Sequence, residues 1–139
     1  MRITTKGRYA LRAVSQLAAN YTDKPISIRE LAEMENLSPE FLEQIFYKLR
    51  KAGLINSTRG PGGGFSLNRP PEEISITEIF DAVGEGMNLA PCAVNGANPC
   101  KHPGCITHTV WVKASDHLKE YFSNISIKDI VAAKPVKVG

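Results

Sequence analysis

Apolar residues return every third or fourth position near the start of the chain. Tyr9, Ala10, Ala13, Val14, Leu17 and Ala18 form one stripe, predicting a helix over residues 4–20 capped by Thr4 or Thr5. SIRE at 27–30 reads as a capping box opening a short second helix over 27–34, with Ile28, Leu31 and Ala32 turned inward. A third helix is predicted over 38–52. Ser38 is its N-cap, Pro39 takes the first helical position, and Gly53 sits at its C-terminal end. Phe41, Leu42, Ile45, Phe46 and Leu49 make its buried stripe, while Glu40, Glu43, Gln44, Lys48 and Lys51 lie off it.

The period then changes. Two strand candidates, 54–58 and 64–67, flank a glycine run. Pro70–Pro71 breaks the pattern, and SITE at 75–78 opens another short helix burying Ile79, Phe80 and Val83 and ending at Gly84. Residues 86–105 show no periodicity and read as a loop. A long helix follows over 106–123, with Val110, Trp111, Ala114, Leu118, Tyr121 and Phe122 on one side, and SIKD at 126–129 starts a last short helix that Pro135 stops. Helix, helix–turn–helix and hairpin, in that order, make a winged helix–turn–helix. The predicted fold is mainly α, with a small β-hairpin wing and a long C-terminal helix. The division expected is 1–70 for the head, 71–85 for a connecting helix, 86–105 for a cysteine-rich loop and 106–139 for the long helix and tail.

The chain has 139 residues, enough to bury a hydrophobic core. The net charge of +3 hides an asymmetry. Residues 1–70 hold 11 Lys+Arg and 6 Asp+Glu, a balance of +5, and residues 71–139 hold 6 and 8, a balance of −2. A basic first half fits a polyanionic partner, although such a surplus is also common on solvated surfaces. No apolar run is long enough for a membrane span and the N-terminus lacks the apolar stretch of a signal peptide, so a cytoplasmic protein without a membrane partner is expected.

The glycine run TRGPGGGFSL, residues 58–67, admits two readings. A phosphate-binding loop needs a lysine after its last glycine, and none follows. A dinucleotide fingerprint fails because position 65 is Phe65 and a strand follows where a helix is required. A hairpin tip fits better, with glycines admitting positive φ and letting backbone N–H groups approach a phosphate. Arg59 stands at the base of this tip, within reach of a minor groove. The bland alternative is a tight hairpin with no partner.

In the winged-helix scheme, residues 38–48 form the recognition helix. Gln44 suits an adenine edge and Glu43 a cytosine amine, while Lys48, Arg50, Arg2, Lys6 and Arg8 suit phosphates. The helix starts at Ser27 and Ser38, together with Glu40 and the tip residues Gly60, Gly62 and Gly63, complete the expected DNA-contact set. For Glu40 and Glu43 an ordinary solvated face explains the pattern equally well.

All three cysteines fall between residues 92 and 105. Cys92, Cys100 and Cys105 are spaced C-x7-C-x4-C, and His108 follows three residues later, one helical turn from Cys105. Three thiolates and an imidazole suit zinc or an iron–sulfur cluster; free thiols, or a disulfide with a spare, are the alternative. No C-x-x-C pair occurs, which leans towards a cluster. His102 is a rival ligand, and His117 lies too far along the helix. No paired carboxylates or nucleophile–base arrangement indicate an enzyme, and an electron carrier would leave the basic head without a purpose.

Taken together, MRITTKGRYALRA, SPEFLEQIFYKLRKAGLI, RGPGGGF, the C-x7-C-x4-C-x2-H segment and the HTVW helix start resemble the bacterial iron–sulfur cluster regulators of the IscR-like family, over nearly the whole chain. The resemblance implies a homodimeric transcription regulator, most simply a repressor, acting on a near-palindromic double-stranded operator. It implies dimerisation through the long helix, with Val110, Trp111, Ala114, Leu118, Tyr121 and Phe122 at the interface. It also implies a 2Fe-2S cluster on Cys92, Cys100, Cys105 and His108, received from cluster donors and sensing cluster supply, oxygen, redox state or nitric oxide. Some relatives carry a 4Fe-4S cluster with an acidic ligand from the first helix; Arg8 at that place favours 2Fe-2S. A zinc-stabilised regulator, or one without metal, is the alternative.

Overall fold

The computed structural model describes residues 2–21, 24–93 and 105–133. Helix α1 spans Thr5–Ala19, α2 Ile28–Glu35 and α3 Pro39–Lys51; strands β1, Ile55–Thr58, and β2, Gly64–Leu67, follow. A 3₁₀ turn at Pro71–Glu73 leads into α4, Ile76–Val83. A second 3₁₀ turn lies at Pro91–Ala93, before α5, His108–Ser123, and α6, Ile127–Ala132.

Local chemistry explains these boundaries. The hydroxyls of Ser27, Ser38, Ser75 and Ser126 each accept a backbone N–H three residues ahead, satisfying a donor that the first helical turn leaves without a partner. At Ser75 and Ser126 the acidic residue three positions on, Glu78 or Asp129, returns the bond and completes a capping box. At Ser27 only the forward half forms, to Glu30 N at 3.1 Å. Thr4, not Thr5, caps α1. Gly53 has φ +79°, the left-handed turn that releases the chain from α3 into the hairpin.

The periodic stripes converge on one core. Ala13, Val14, Leu31, Leu42, Phe46 and Leu49 are fully buried, joined by Ile55 and Leu67 from the hairpin. The same cluster takes in Ile74, Ile79, Val83 and Ile127 from the second half. The return of α6 is fixed by backbone bonds, Ile127 N to Ile74 O at 2.9 Å and Ile76 N to Ile125 O at 3.1 Å. A smaller cluster of Ile76, Phe80 and Met87 receives Phe122 from α5, whose ring meets Phe80 edge-on at 5.6 Å.

Helix α5 buries little of its own surface. Its one fully buried side chain is Ser115, which donates to Trp111 O at 2.7 Å and accepts from Leu89 N at 2.9 Å. Val110, Trp111 and Tyr121 are 55%, 41% and 62% exposed, while Ala114 and Leu118 are half-buried and Phe122 packs on Phe80, so only part of the apolar stripe is covered by the chain itself. No described helix is long and apolar enough to cross a membrane.

Candidate functional site

The hairpin is antiparallel, pairing Ile55 with Leu67 and Thr58 with Gly64, and leaves residues 59–63 as its tip. Gly60 and Gly62 have φ of +92° and +75°, and the tip closes on Gly63 N to Gly60 O at 2.9 Å. These are conformations that side chains resist, which explains the glycines without invoking a nucleotide. Gly63 has a different reason: a Cβ there would collide with the Thr58 carbonyl. Arg59 is exposed at the tip.

The wing does not hang free. Ile26 exchanges both backbone bonds with Phe65, N to O at 2.9 and 2.7 Å, adding a third strand-like segment to the hairpin. Phe65 also meets Phe46 of α3 edge-on at 4.9 Å. The wing is thus tied to the residue before Ser27 and to the buried face of α3. Sequence reasoning missed Ile26, because a single apolar residue between Pro25 and Ser27 carries no periodicity.

On the opposite face of α3 from Leu42 and Phe46, residues Glu43, Gln44 and Lys48 are exposed side by side. Ser38 accepts from Phe41 N at 3.4 Å and donates to Glu40 Oε2 at 2.8 Å. Glu40's carboxyl is held below its ordinary range, first by a bond from its own backbone N–H and then by the Ser38 hydroxyl. Arg50 donates to Ser57 Oγ of β1 at 3.3 Å, so part of its guanidinium is engaged with the hairpin. Arg2 and Arg8 are exposed at the start of α1, and Lys6 is half-buried there with Nζ 3.5 Å from Gly84 O.

One buried acid was not anticipated. Glu85 is 5% exposed and accepts from Thr4 N at 2.8 Å; its other oxygen accepts from the Thr4 hydroxyl. Gly7 makes room for it, since a Cβ there would stand 2.9 Å from the Glu85 carboxyl. Thr4 and Glu85 lie 81 positions apart, a separation that no local pattern reports.

Of the four expected metal ligands, two side chains are described. Cys105 is exposed ahead of α5, with Sγ and Thr107 Oγ1 in hydrogen bond at 3.1 Å, and its carbonyl accepts from His108 N at 3.3 Å. The Thr107 hydroxyl, and after it the Thr107 backbone, hold the Cys105 thiol below its usual range, towards the thiolate that metals require. His108 is exposed one turn on, so both are open to a shared ligand. Cys92 lies in the Pro91–Ala93 turn, but its side chain, like Cys100 and His102, lies outside the described residues. Among the described residues, no three His, Cys, Asp or Glu side chains converge on a metal position.

Among curated proteins, the chain is 36% identical to the HTH-type transcriptional regulator IscR of Pectobacterium carotovorum, over 98% of this chain and 82% of that one. Among solved structures, T. potens IscR superposes with a TM-score of 0.77 at 30% identity, covering 94% of this chain and 86% of that one. CymR, the global cysteine regulator of B. subtilis, superposes with a TM-score of 0.79 at 29% identity, covering 97% and 99%. These relatives are regulators of transcription and not enzymes. The Rrf2 model, described as an iron-dependent transcriptional regulator, matches residues 3–133. By that match and by these relatives, the chain belongs to the Rrf2 family of winged-helix transcription regulators and is IscR-like within it.

Proposed function

We propose that this regulator binds a near-palindromic operator as a homodimer, acts as a repressor in the cytoplasm, and carries an iron–sulfur cluster, 2Fe-2S, that modulates the binding. One observation carries the DNA part: the wing is joined to the start of α2 by the Ile26–Phe65 pairing and to the buried face of α3 by the Phe46–Phe65 contact, so it is fixed relative to the exposed face of α3. In this reading Glu43 and Gln44 address base edges in the major groove, and Arg59 with the backbone of Gly60, Gly62 and Gly63 addresses the neighbouring groove. Lys48, Arg2, Lys6 and Arg8 meet phosphates, as does the part of Arg50 not held by Ser57. Ser38 fixes the entry of α3, so it sets where Glu40 and Glu43 stand.

The dimer reading is supported by α5. A row of exposed Val110, Trp111 and Tyr121 with half-buried Ala114 and Leu118 between them, on a helix whose one buried residue is a serine, is what a helix-crossing interface requires. Phe122 belongs to its edge, because it already packs on Phe80.

Cys92, Cys100, Cys105 and His108 would hold the cluster, which when bound supplies a redox-labile link between the cysteine segment and α5. The donor chemistry fits: an exposed thiol drawn towards thiolate beside an exposed imidazole. Zinc would satisfy the same residue types. The test is anaerobic purification followed by a visible spectrum, metal analysis and a gel shift on the gene's own upstream DNA before and after oxidation. A coloured protein with an oxidation-dependent shift is the expected result. A colourless protein with stoichiometric zinc replaces the cluster reading, and absence of a shift in every state removes the operator.

A further inference from the structure

The cap of α1 is complete without Glu85, because the Thr4 hydroxyl already accepts from Gly7 N. The buried carboxylate does something different. It takes the Thr4 backbone N–H and hydroxyl together, fixing the residue through which Arg2 is attached to the fold. It also places an acid at the positive end of a helix that has none in its own first turn. Beside it, Lys6 reaches the carbonyl of Gly84, so Thr4, two residues after Arg2, and Lys6 are held against the same short segment.

That segment is rigidly seated. Glu85 N bonds to Phe80 O at 2.8 Å, Leu89 N bonds to Ser115 Oγ at 2.9 Å, and Asn88 Oδ1 accepts from Lys119 Nζ at 3.0 Å. The carboxylate is therefore delivered to Thr4 from a strap anchored on α4 and α5.

We infer that Glu85 is a positioning residue for DNA binding, which holds the basic corner of Arg2 and Lys6 where it meets phosphates. The inference rests on the reading that these two residues contact the backbone of DNA. Without the latch, residues 2–4 keep their charge but lose their fixed direction. Their contact with phosphate then costs the ordering entropy that the latch now removes.

The test is binding to a labelled duplex of mixed sequence across a salt series, with thermal unfolding of every variant. The Arg2→Ala/Lys6→Ala protein defines the reference, with a salt slope expected to fall by up to about four units, since the proposed dimer loses both contacts in each protomer. Glu85→Gln keeps the size of the side chain but replaces one acceptor with a donor, and Thr4→Val removes the hydroxyl. Both are expected to lower affinity about tenfold and to approach the reference slope, whereas Thr4→Ser keeps the wild-type slope. Glu85→Gln added to Arg2→Ala/Lys6→Ala is expected to change nothing further. Variants that melt earlier yet bind with the wild-type slope would show a purely structural latch and overturn the inference. So would additive losses in the triple variant. A wild-type slope in Arg2→Ala/Lys6→Ala itself would instead locate the failure in the phosphate reading beneath it.

Discussion

Ile26 and Phe65 hold each other by a reciprocal pair of backbone hydrogen bonds, 2.9 and 2.7 Å long, across 39 residues of chain. This pairing fixes the wing relative to the start of α2. Gly64 lies directly over it with φ +154°, and a Cβ there would strike the Ile26 backbone. Gly64→Ala should therefore destabilise the fold by about 2 kcal/mol or more and weaken DNA binding with it. Thermal unfolding and a gel shift check both; a variant as stable as the wild type would mean that the wing is not clamped here.

Arg59 stands exposed at the wing tip. Arg59→Ala should leave stability within about 0.5 kcal/mol and weaken operator binding by roughly 1–3 kcal/mol. Anisotropy at fixed salt measures it. Unchanged affinity would remove Arg59 from the wing contact.

Ser38 caps α3 and donates to Glu40. Ser38→Ala should cost about 1 kcal/mol of stability through the lost cap. Glu40's carboxyl titrates below its unfolded-state value, so its stabilising effect is fully present above that value and fades as pH falls through the folded one. In Ser38→Ala the side-chain contribution is lost and the Glu40 carboxyl carbon, followed by NMR, should titrate higher. A titration curve identical to the wild type would refute the Ser38–Glu40 bond in solution.

Trp111 is 41% exposed on the outer face of α5. Trp111→Glu places a charge in the proposed interface and should shift sedimentation from dimer to monomer without unfolding the head, whose core includes no residue of α5. A monomeric wild type, or a dimeric variant of unchanged affinity, would move the interface elsewhere.

Cys92→Ala should abolish the visible absorption of protein isolated without oxygen. A full spectrum in that variant would mean that the ligand set differs from Cys92, Cys100, Cys105 and His108.

The sequence by itself determined what depends on neighbours three or four positions apart. Ser27, Ser38, Ser75 and Ser126 announce their helix starts because a hydroxyl reaches only its own first turn. Leu42, Ile45, Phe46 and Leu49 announce a buried face because helix geometry puts them on one side. Hence the winged helix–turn–helix, and with it the exposed face of Glu43, Gln44 and Lys48, is legible in local spacing alone. The tertiary structure decided the rest. It brought Ile26 to Phe65 and Glu85 to Thr4, turned α5 so that Ser115 and Phe122 face inward and Val110, Trp111 and Tyr121 outward, and put Ile127 into the core of the head. These pairings join residues far apart along the chain, and whether they form depends on how whole helices pack, a property that no local spacing encodes.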